Sequence, residues 1–406
     1  MKEQTASKVP QIRFKGFGEE WEEKTLGALG RVAMNKRVFK HQTSETGDVP
    51  FYKIGTFGKE PDSFISRKLF DEYKSKFPYP LEGDLLISAS GSIGRIVEYS
   101  GKDEYFQDSN IVWLQHNGAV VNAFLKQYYS FVEWAGLEGS TIKRLYNKNI
   151  LETRIVLPNK EEQTQIGEYF RELDSLIGLH QRKHDKLVTL KNAMLQKMFP
   201  QPGASIPEVR FKGFSGEWVK KKLGECVLIQ RGGSPRPIEN FITQDANGIN
   251  WVKIGDVKIG SRYITQTEEK IKPEGVSKSR EVFKGDLILS NSMSFGRPYL
   301  MAIDGCIHDG WLLIRNDKNL FDLDYLLQLL SSETMTEQYR SLAAGGVVNN
   351  LNSALVQSTN ISFPDKPEQQ KIGTYFRTLD ELISQHATQL QKLQQIKSAC
   401  LEKMFV

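Results

Sequence analysis

Two stretches of this 406-residue chain set hydroxyls, amides and guanidinium groups among glycines that loosen the backbone. They are Ser88-Ala-Ser90-Gly91-Ser92-Ile93-Gly94-Arg95 and Ser290-Asn291-Ser292-Met293-Ser294-Phe295-Gly296-Arg297. Hydroxyls, Asn amides and Arg forks are the groups that hydrogen-bond phosphates and base edges. Ser90, Ser92, Arg95, Ser292, Ser294 and Arg297 are therefore candidate nucleic-acid contacts. The competing reading is a strand-to-strand turn in which Gly94 and Gly296 only let the backbone bend.

Two further windows carry the same chemistry. Thr141–Lys148 is the most basic short stretch, with Lys143, Arg144, Tyr146, Asn147 and Lys148 as candidates. It aligns with a stretch near residue 350 that offers Asn349, Asn350 and Asn352 instead. Arg favours guanine and Asn favours adenine in a major groove, so two readers of different sequences would differ in this way. A solvated helix start in both places is the alternative. Arg231-Gly232-Gly233-Ser234-Pro235-Arg236 lies opposite Arg31–Arg37 and adds Arg231, Ser234 and Arg236, or is an ordinary loop.

Catalytic chemistry is harder to find. The sequence has no Asn/Asp-Pro-Pro-aromatic tetrapeptide of amino-methyltransferases and no phosphate-binding Gly-x-x-x-x-Gly-Lys-Ser/Thr loop. Pro61-Asp62 with Glu72-Tyr73-Lys74 has the residue order of a metal-dependent nuclease, but nothing matches it later in the chain. His180, His184 and His386 fall on an apolar helix seam, where polar residues set register, so they are read as interface groups and not as zinc ligands. Trp21 and Trp218 are read as core anchors. No catalytic or metal-binding residue is assigned. Cys226, Cys306 and Cys400 form no motif and leave one unpaired, which suits a reducing cytoplasm. No apolar run approaches the ~20 residues of a membrane helix, and the opening residues lack a signal-peptide core. A net charge of +5 permits a polyanion partner without demanding one.

Positioning these groups falls to a design written twice. Pro10-Gln-Ile-Arg13-Phe14-Lys15-Gly16-Phe17 recurs as Pro207-Glu-Val-Arg210-Phe211-Lys212-Gly213-Phe214, each followed by a tryptophan four residues on. Pro158-x-x-x-Glu162-Gln163-x-x-Ile166-Gly167 recurs 206 positions later as Pro364-x-x-x-Glu368-Gln369-x-x-Ile372-Gly373, and both copies end in Lys-Met-Phe. Short Val/Ile/Phe/Tyr runs between Gly, Ser, Asn and Pro predict mainly β domains. Helices are expected at Asn122–Val132 and Asp322–Leu330, and last strands at Arg154–Leu157 and Asn360–Phe363. After each proline, apolar residues step by four and three over about 38 residues, the seam of a coiled coil. Asn159 and Asp365 suit the N-caps, with Glu162 and Glu368 in capping-box positions. The two helices should pair antiparallel, with Ile166–Leu187 near the partner's C-terminal end and the histidines near the middle.

This order of motifs, duplicated over nearly the whole chain, resembles the DNA-specificity subunits of Type I restriction–modification enzymes. The resemblance implies an α+β protein: two β-rich target-recognition domains joined by two long antiparallel coiled-coil helices in a pseudo-twofold internal repeat. The domains would be 1–157 and 208–363, the helices 158–199 and 364–406, and the linker 200–207. It further implies a non-catalytic subunit that reads a bipartite target in double-stranded DNA. Two modification (methyltransferase) subunits would dock on the helices, and restriction/motor subunits would join the full complex. No cofactor is expected on the chain itself, since S-adenosylmethionine, ATP and Mg²⁺ would belong to those partners. A self-contained nuclease or methyltransferase, or a helical scaffold that binds no DNA, are the rival readings.

Overall fold

The structure, a computed structural model, describes residues 9–135, 144–257, 261–291, 296–344 and 351–406. The chain divides into two units. The first comprises the residues up to Leu179 together with Leu390–Val406; the second comprises His180–Gln389.

In the first unit, strand Leu85–Ser88 lies between Ile111–Gln115 and Ile96–Glu98, and Arg31–Ala33 completes an antiparallel sheet of four. Successive side chains of a strand point to opposite faces, and both faces of this sheet are covered. Leu85, Ile87, Val112 and Leu114 enter one core, while Leu86, Ile111 and Trp113 enter another. That is why Leu-Leu-Ile-Ser reads as a continuous apolar run without alternation. Three further strands, Phe64–Ile65, Val49–Tyr52 and Tyr105–Phe106, make a smaller sheet with one parallel pairing.

The second unit repeats the plan with additions. Leu287–Ser290 sits between Trp311–Arg315 and Pro298–Met301 in a five-stranded sheet, and Leu287 and Leu289 face one core while Ile288 faces the other. A second five-stranded sheet is built on Ile249–Val252 and Gly305–Ile307. Each unit is closed by a two-stranded antiparallel ribbon. One pairs Glu22–Thr25 with Arg154–Leu157, and the other pairs Val219–Lys222 with Asn360–Phe363, both at the expected last strands.

The long helices span Lys160–Lys197 and Lys366–Met404, 38 and 39 residues. At 1.5 Å per residue each is roughly 57 Å long. Glu162 N–H donates to Asn159 Oδ1 at 2.9 Å and Glu368 N–H to Asp365 Oδ1 at 3.3 Å, so both N-caps form. The reciprocal half of the capping box does not, because each glutamate carboxylate is taken by an arginine instead. Within each unit the two helices run antiparallel. Asp174 meets Lys397 at 2.6 Å in the first, and their repeat mates Asp380 and Lys191 meet at 2.6 Å in the second. His180 meets His386, its own repeat mate, at 2.9 Å. Ile166 and Phe170 share a core with Met404 and Phe405 as expected, whereas Leu187 packs with the second unit's core.

The shorter helices differ modestly from expectation. Asn122–Tyr129 ends before Val132, and Leu323–Ser331 starts at an Asp322 cap. Helices Arg67–Lys76 and Glu333–Ala344 are additional. Arg67–Lys76 buries only Phe70, so it shows no apolar period to read.

Candidate nucleic-acid interface

The candidate loops take their place from one recurring set of backbone bonds. Beyond Ser88, Ala89 N–H donates to Asn110 O at 2.7 Å and Leu145 N–H donates to Ala89 O at 2.8 Å. Beyond Ser290, Asn291 N–H donates to Gly310 O at 3.0 Å and Leu351 N–H donates to Asn291 O at 3.2 Å. In each unit these bonds draw together the glycine loop, the turn before a core strand, and the segment leading into a short helix. Ala89 and Leu145, and Asn291 and Leu351, more than fifty residues apart in sequence, are thereby neighbours.

In the first unit, Ser90 Oγ donates to Asn110 Oδ1 at 2.8 Å, and Ser92 is exposed with its carbonyl accepting from Ser88 Oγ. Arg95 is exposed and donates to Phe57 O at 2.9 Å. Gly94 has φ +77, and a Cβ there would lie 2.9 Å from Trp134 Nε1, so the turn is both left-handed and tightly underpinned. The bend reading of Gly94 thus holds alongside the exposure of Arg95. Arg144 Nη2 donates to Ser109 O at 3.1 Å and to Ser109 Oγ at 3.0 Å, which fixes its guanidinium over the same turn. Tyr146, Asn147 and Lys148 are exposed at the start of helix Asn147–Glu152. Lys143 lies outside the described residues.

In the second unit, Gly296 has φ +71 over Tyr339, whose Cδ2 would be 2.7 Å from an added Cβ. Arg297 is exposed. Asn352 caps the short helix Ser353–Gln357, its Oδ1 accepting from Leu355 N–H at 2.9 Å. Ser292, Ser294, Asn349 and Asn350 lie outside the described residues. Asp309, which the sequence reading passed over, organises the third window. Its carbonyl accepts from Asn291 Nδ2 at 2.8 Å and Arg231 Nε at 3.4 Å, its N–H donates to Ser234 Oγ at 3.4 Å, and its carboxylate faces Arg236 Nη2 at 3.4 Å. A loop this well partnered is ordered, and Arg231 and Arg236 stay exposed on it. Arg37 stands 4.0 Å from Asp108 in the first unit, beside the corresponding turn. No residue spacing signals these turns, since only the long-range strand pairing makes them neighbours of the glycine loops.

The other candidates resolve into structural roles. Asp62 pairs with Lys53 at 2.8 Å, Glu72 with Lys76 at 3.0 Å and Lys74 with Asp103 at 3.2 Å, so the nuclease-like residues are spent in separate ion pairs. Among the described residues no group of three or more His, Cys, Asp or Glu is arranged to hold a metal ion. Trp21 and Trp218 are buried. Burial pushes the Cys306 thiol up to about 11, which leaves it unreactive.

The motifs carrying the resemblance are framework. Gln163 Oε1 accepts from Val121 N–H at 3.0 Å while its Nε2 donates to Pro158 O at 2.8 Å, and Gln369 does the same with Asp322 N–H and Pro364 O at 3.0 and 2.9 Å. Gly167 and Gly373 admit helices Asn122–Tyr129 and Leu323–Ser331, since a Cβ would fall 2.7 Å from Ala123 Cβ and 2.5 Å from Asp322 Oδ1.

Comparison with known proteins agrees with this arrangement. The family model of the Type I restriction modification DNA specificity domain matches residues 18–189 and again 215–395. A putative type I restriction enzyme specificity subunit of Haemophilus influenzae is 50% identical over 152 residues, 37% of this chain and 40% of that relative's length. A putative specificity subunit of Methanocaldococcus jannaschii is 22% identical over 93% of this chain and 91% of its own. The crystal structure of an S subunit from M. genitalium superposes with a TM-score of 0.60 at 15% identity, covering 98% of this chain and 99% of that one, and so shares the fold. With both of its halves matched, the chain belongs to the Type I restriction–modification DNA specificity family, whose members are non-catalytic subunits.

Proposed function

We propose that the chain is the DNA-reading subunit of a Type I restriction–modification complex, with each unit reading one half of a bipartite site. The observation that carries this reading is the equivalent frame in each unit, where the same backbone bonds join Ala89 to Asn110 and Leu145 and join Asn291 to Gly310 and Leu351. In the first unit Ser90, Ser92, Arg95, Lys143, Arg144, Tyr146, Asn147 and Lys148 would contact DNA. In the second, Arg231, Ser234, Arg236, Ser292, Ser294, Arg297, Asn349, Asn350 and Asn352 would do so. Different side chains on a common frame suit two readers of different half-sites.

Two modification subunits would dock along the helices. Support comes from exposed apolar residues at matched repeat positions: Leu176 and Leu382, and Leu190 and Ile396. Restriction/motor subunits would join that complex, and S-adenosylmethionine, ATP and Mg²⁺ would be carried by the partners. No described helix is long and apolar enough to cross a membrane; a cytoplasmic setting suits the proposed task. The test is replacement of residues 1–157 by the matching region of a relative, followed by methylome sequencing of cells carrying the partners. One half of the modified sequence should change and the other should persist. A change in both halves would refute independent reading.

A further inference from the structure

The two units treat one equivalent position in opposite ways. Asn352 and Tyr146 each stand at the N-cap of the short helix before the last strand. Asn352 caps its helix through its side chain, as asparagine does well. Tyr146 makes no side-chain cap bond, and the residue stands 62% exposed. Neither helix stability nor core packing accounts for a tyrosine there. Its ring instead carries Arg144, whose guanidinium carbon is 5.9 Å from the ring centre.

A second pair of the same kind reaches the same turn. Phe39 is 50% exposed, with Arg37 at 5.6 Å from its ring centre and His41 lying parallel at 5.9 Å. The pairs are linked through one turn, since Arg37 faces Asp108 at 4.0 Å and Arg144 bonds the next residue, Ser109. Lys36, Lys40 and Lys148 are exposed around them. Exposed aromatic rings set among cations match a nucleic-acid duplex, because cations hold the phosphates while rings enter between bases.

We propose that Tyr146 and Phe39 are base-stacking residues of the first unit, which unstacks a base step in its half of the DNA site. The proposal rests on the DNA-reading function above. It makes the two units different in kind. The first selects partly by how readily a step opens, favouring flexible pyrimidine–purine steps. The second, with Asn352 at the equivalent position, reads by hydrogen bonding.

The test uses the full chain with its modification partners. Duplexes carry 2-aminopurine at successive positions of each half-site, the sequence being taken from the methylome. Leaving aside the bases that the modification subunits methylate, which those subunits would themselves extrude, fluorescence should rise several-fold on binding at one position of the first half-site and stay quenched throughout the second. Tyr146→Asn, which supplies a good cap and so preserves the fold, should abolish most of the rise, as should Phe39→Ala; Tyr146→Phe should keep it. The salt slope of binding should be unchanged in Tyr146→Asn, because no charge is removed. Binding by anisotropy without any rise in the first half-site would overturn the proposal, as would a rise that survives both Tyr146→Asn and Phe39→Ala. Absence of salt-dependent binding in the anisotropy arm would overturn the DNA-reading function itself, and the proposal with it.

Discussion

Arg13 closes two hydrogen bonds on Glu162, from Nε and Nη2 to the two carboxylate oxygens, each 2.7 Å. Arg210 and Glu368 repeat the geometry at 2.7 and 2.7 Å. Each pair ties the opening motif of a half to the start of its long helix, 149 and 158 residues apart. The Glu162 side chain is fully buried, with Arg13 nearly so. Removing one partner of such a pair strands a buried charge, at a cost of ~3–5 kcal/mol.

Arg13→Ala should therefore destabilise the first unit by about that amount. Hydrogen exchange should accelerate in Glu22–Thr25 and Arg154–Leu157, while Val219–Lys222 and Asn360–Phe363 keep their protection. The double variant Arg13→Met with Glu162→Leu should regain most of the loss, since it leaves no unpaired charge. A double variant as unstable as Arg13→Ala would show that the pair does more than neutralise itself.

Glu162 also shows what a sequence conceals. The repeat, the last strands, the N-caps and the helix seam are all local patterns, and each is where the spacing puts it. Glu162 lies in a capping-box position, yet its carboxylate goes to an arginine far away in the chain, a choice no local pattern records. The same holds at the candidate interface. Ser90, Arg95 and Tyr146 are visible as chemistry, but Asp309 and Ser109 become partners of those windows only through long-range strand pairing. Helix Glu333–Ala344 buries Met335, Tyr339 and Ala343 at intervals of four, too thin a stripe to distinguish from strand.

The Lys-Met-Phe endings complete the cores of domains belonging to the other half. Phe405 packs against Trp21, Phe124, Phe131 and Phe170 in the first unit, with ring centres 6.1, 5.1, 5.1 and 5.9 Å away. Phe199 packs against Trp218, Tyr325 and Phe376 in the second, at 6.2, 5.7 and 6.2 Å. Phe405→Ala should cost the first unit ~3–5 kcal/mol and Phe199→Ala the second a similar amount. Thermal unfolding with unit-resolved hydrogen exchange should show each loss confined to its own unit. Loss spread evenly over both would contradict the division of the cores.

His180 and His386 bring their Nδ1 atoms to 2.9 Å, so one of these nitrogens donates and the other, bare of its proton, accepts. Burial holds the His386 imidazole below its ordinary 6.5, and the nearby His180, Lys183 and His184 add to the effect. Well above 6.5 His386 is unprotonated in both the folded and the unfolded chain, and its contribution to stability is intact. Below 6.5 the unfolded chain takes up the proton first, so stability is lost as pH falls. The melting temperature of the second unit should fall between about pH 7.5 and pH 5.5, and His386→Gln should flatten that dependence. An identical pH profile in His386→Gln would place the titration elsewhere.

Charge and base reading should separate in the binding data. Lys148, Arg37 and Arg236 have side chains 80%, 68% and 79% exposed, and their carboxylate neighbours stand at 3.7, 4.0 and 3.4 Å. Pairs so exposed hold their cations weakly, which leaves the charge available to a phosphate. Each of Lys148→Ala, Arg37→Ala and Arg236→Ala should weaken binding to every sequence and reduce the slope of log K against log salt by about 0.9. Arg144 is different, because Ser109 fixes its guanidinium plane through Nη2. A fixed fork suits a guanine edge, and Arg144→Ala should cost ~1–3 kcal/mol at one base pair of the first half-site. Its penalty should largely vanish on duplexes substituted at that pair, whereas the penalty of Lys148→Ala should persist on all of them. Binding titrations over a salt series, on the cognate duplex and on single-pair variants, measure both effects. Unchanged slopes in the three exposed variants would place these cations away from the DNA, and an Arg144→Ala penalty independent of sequence would make that residue a support for the turn alone.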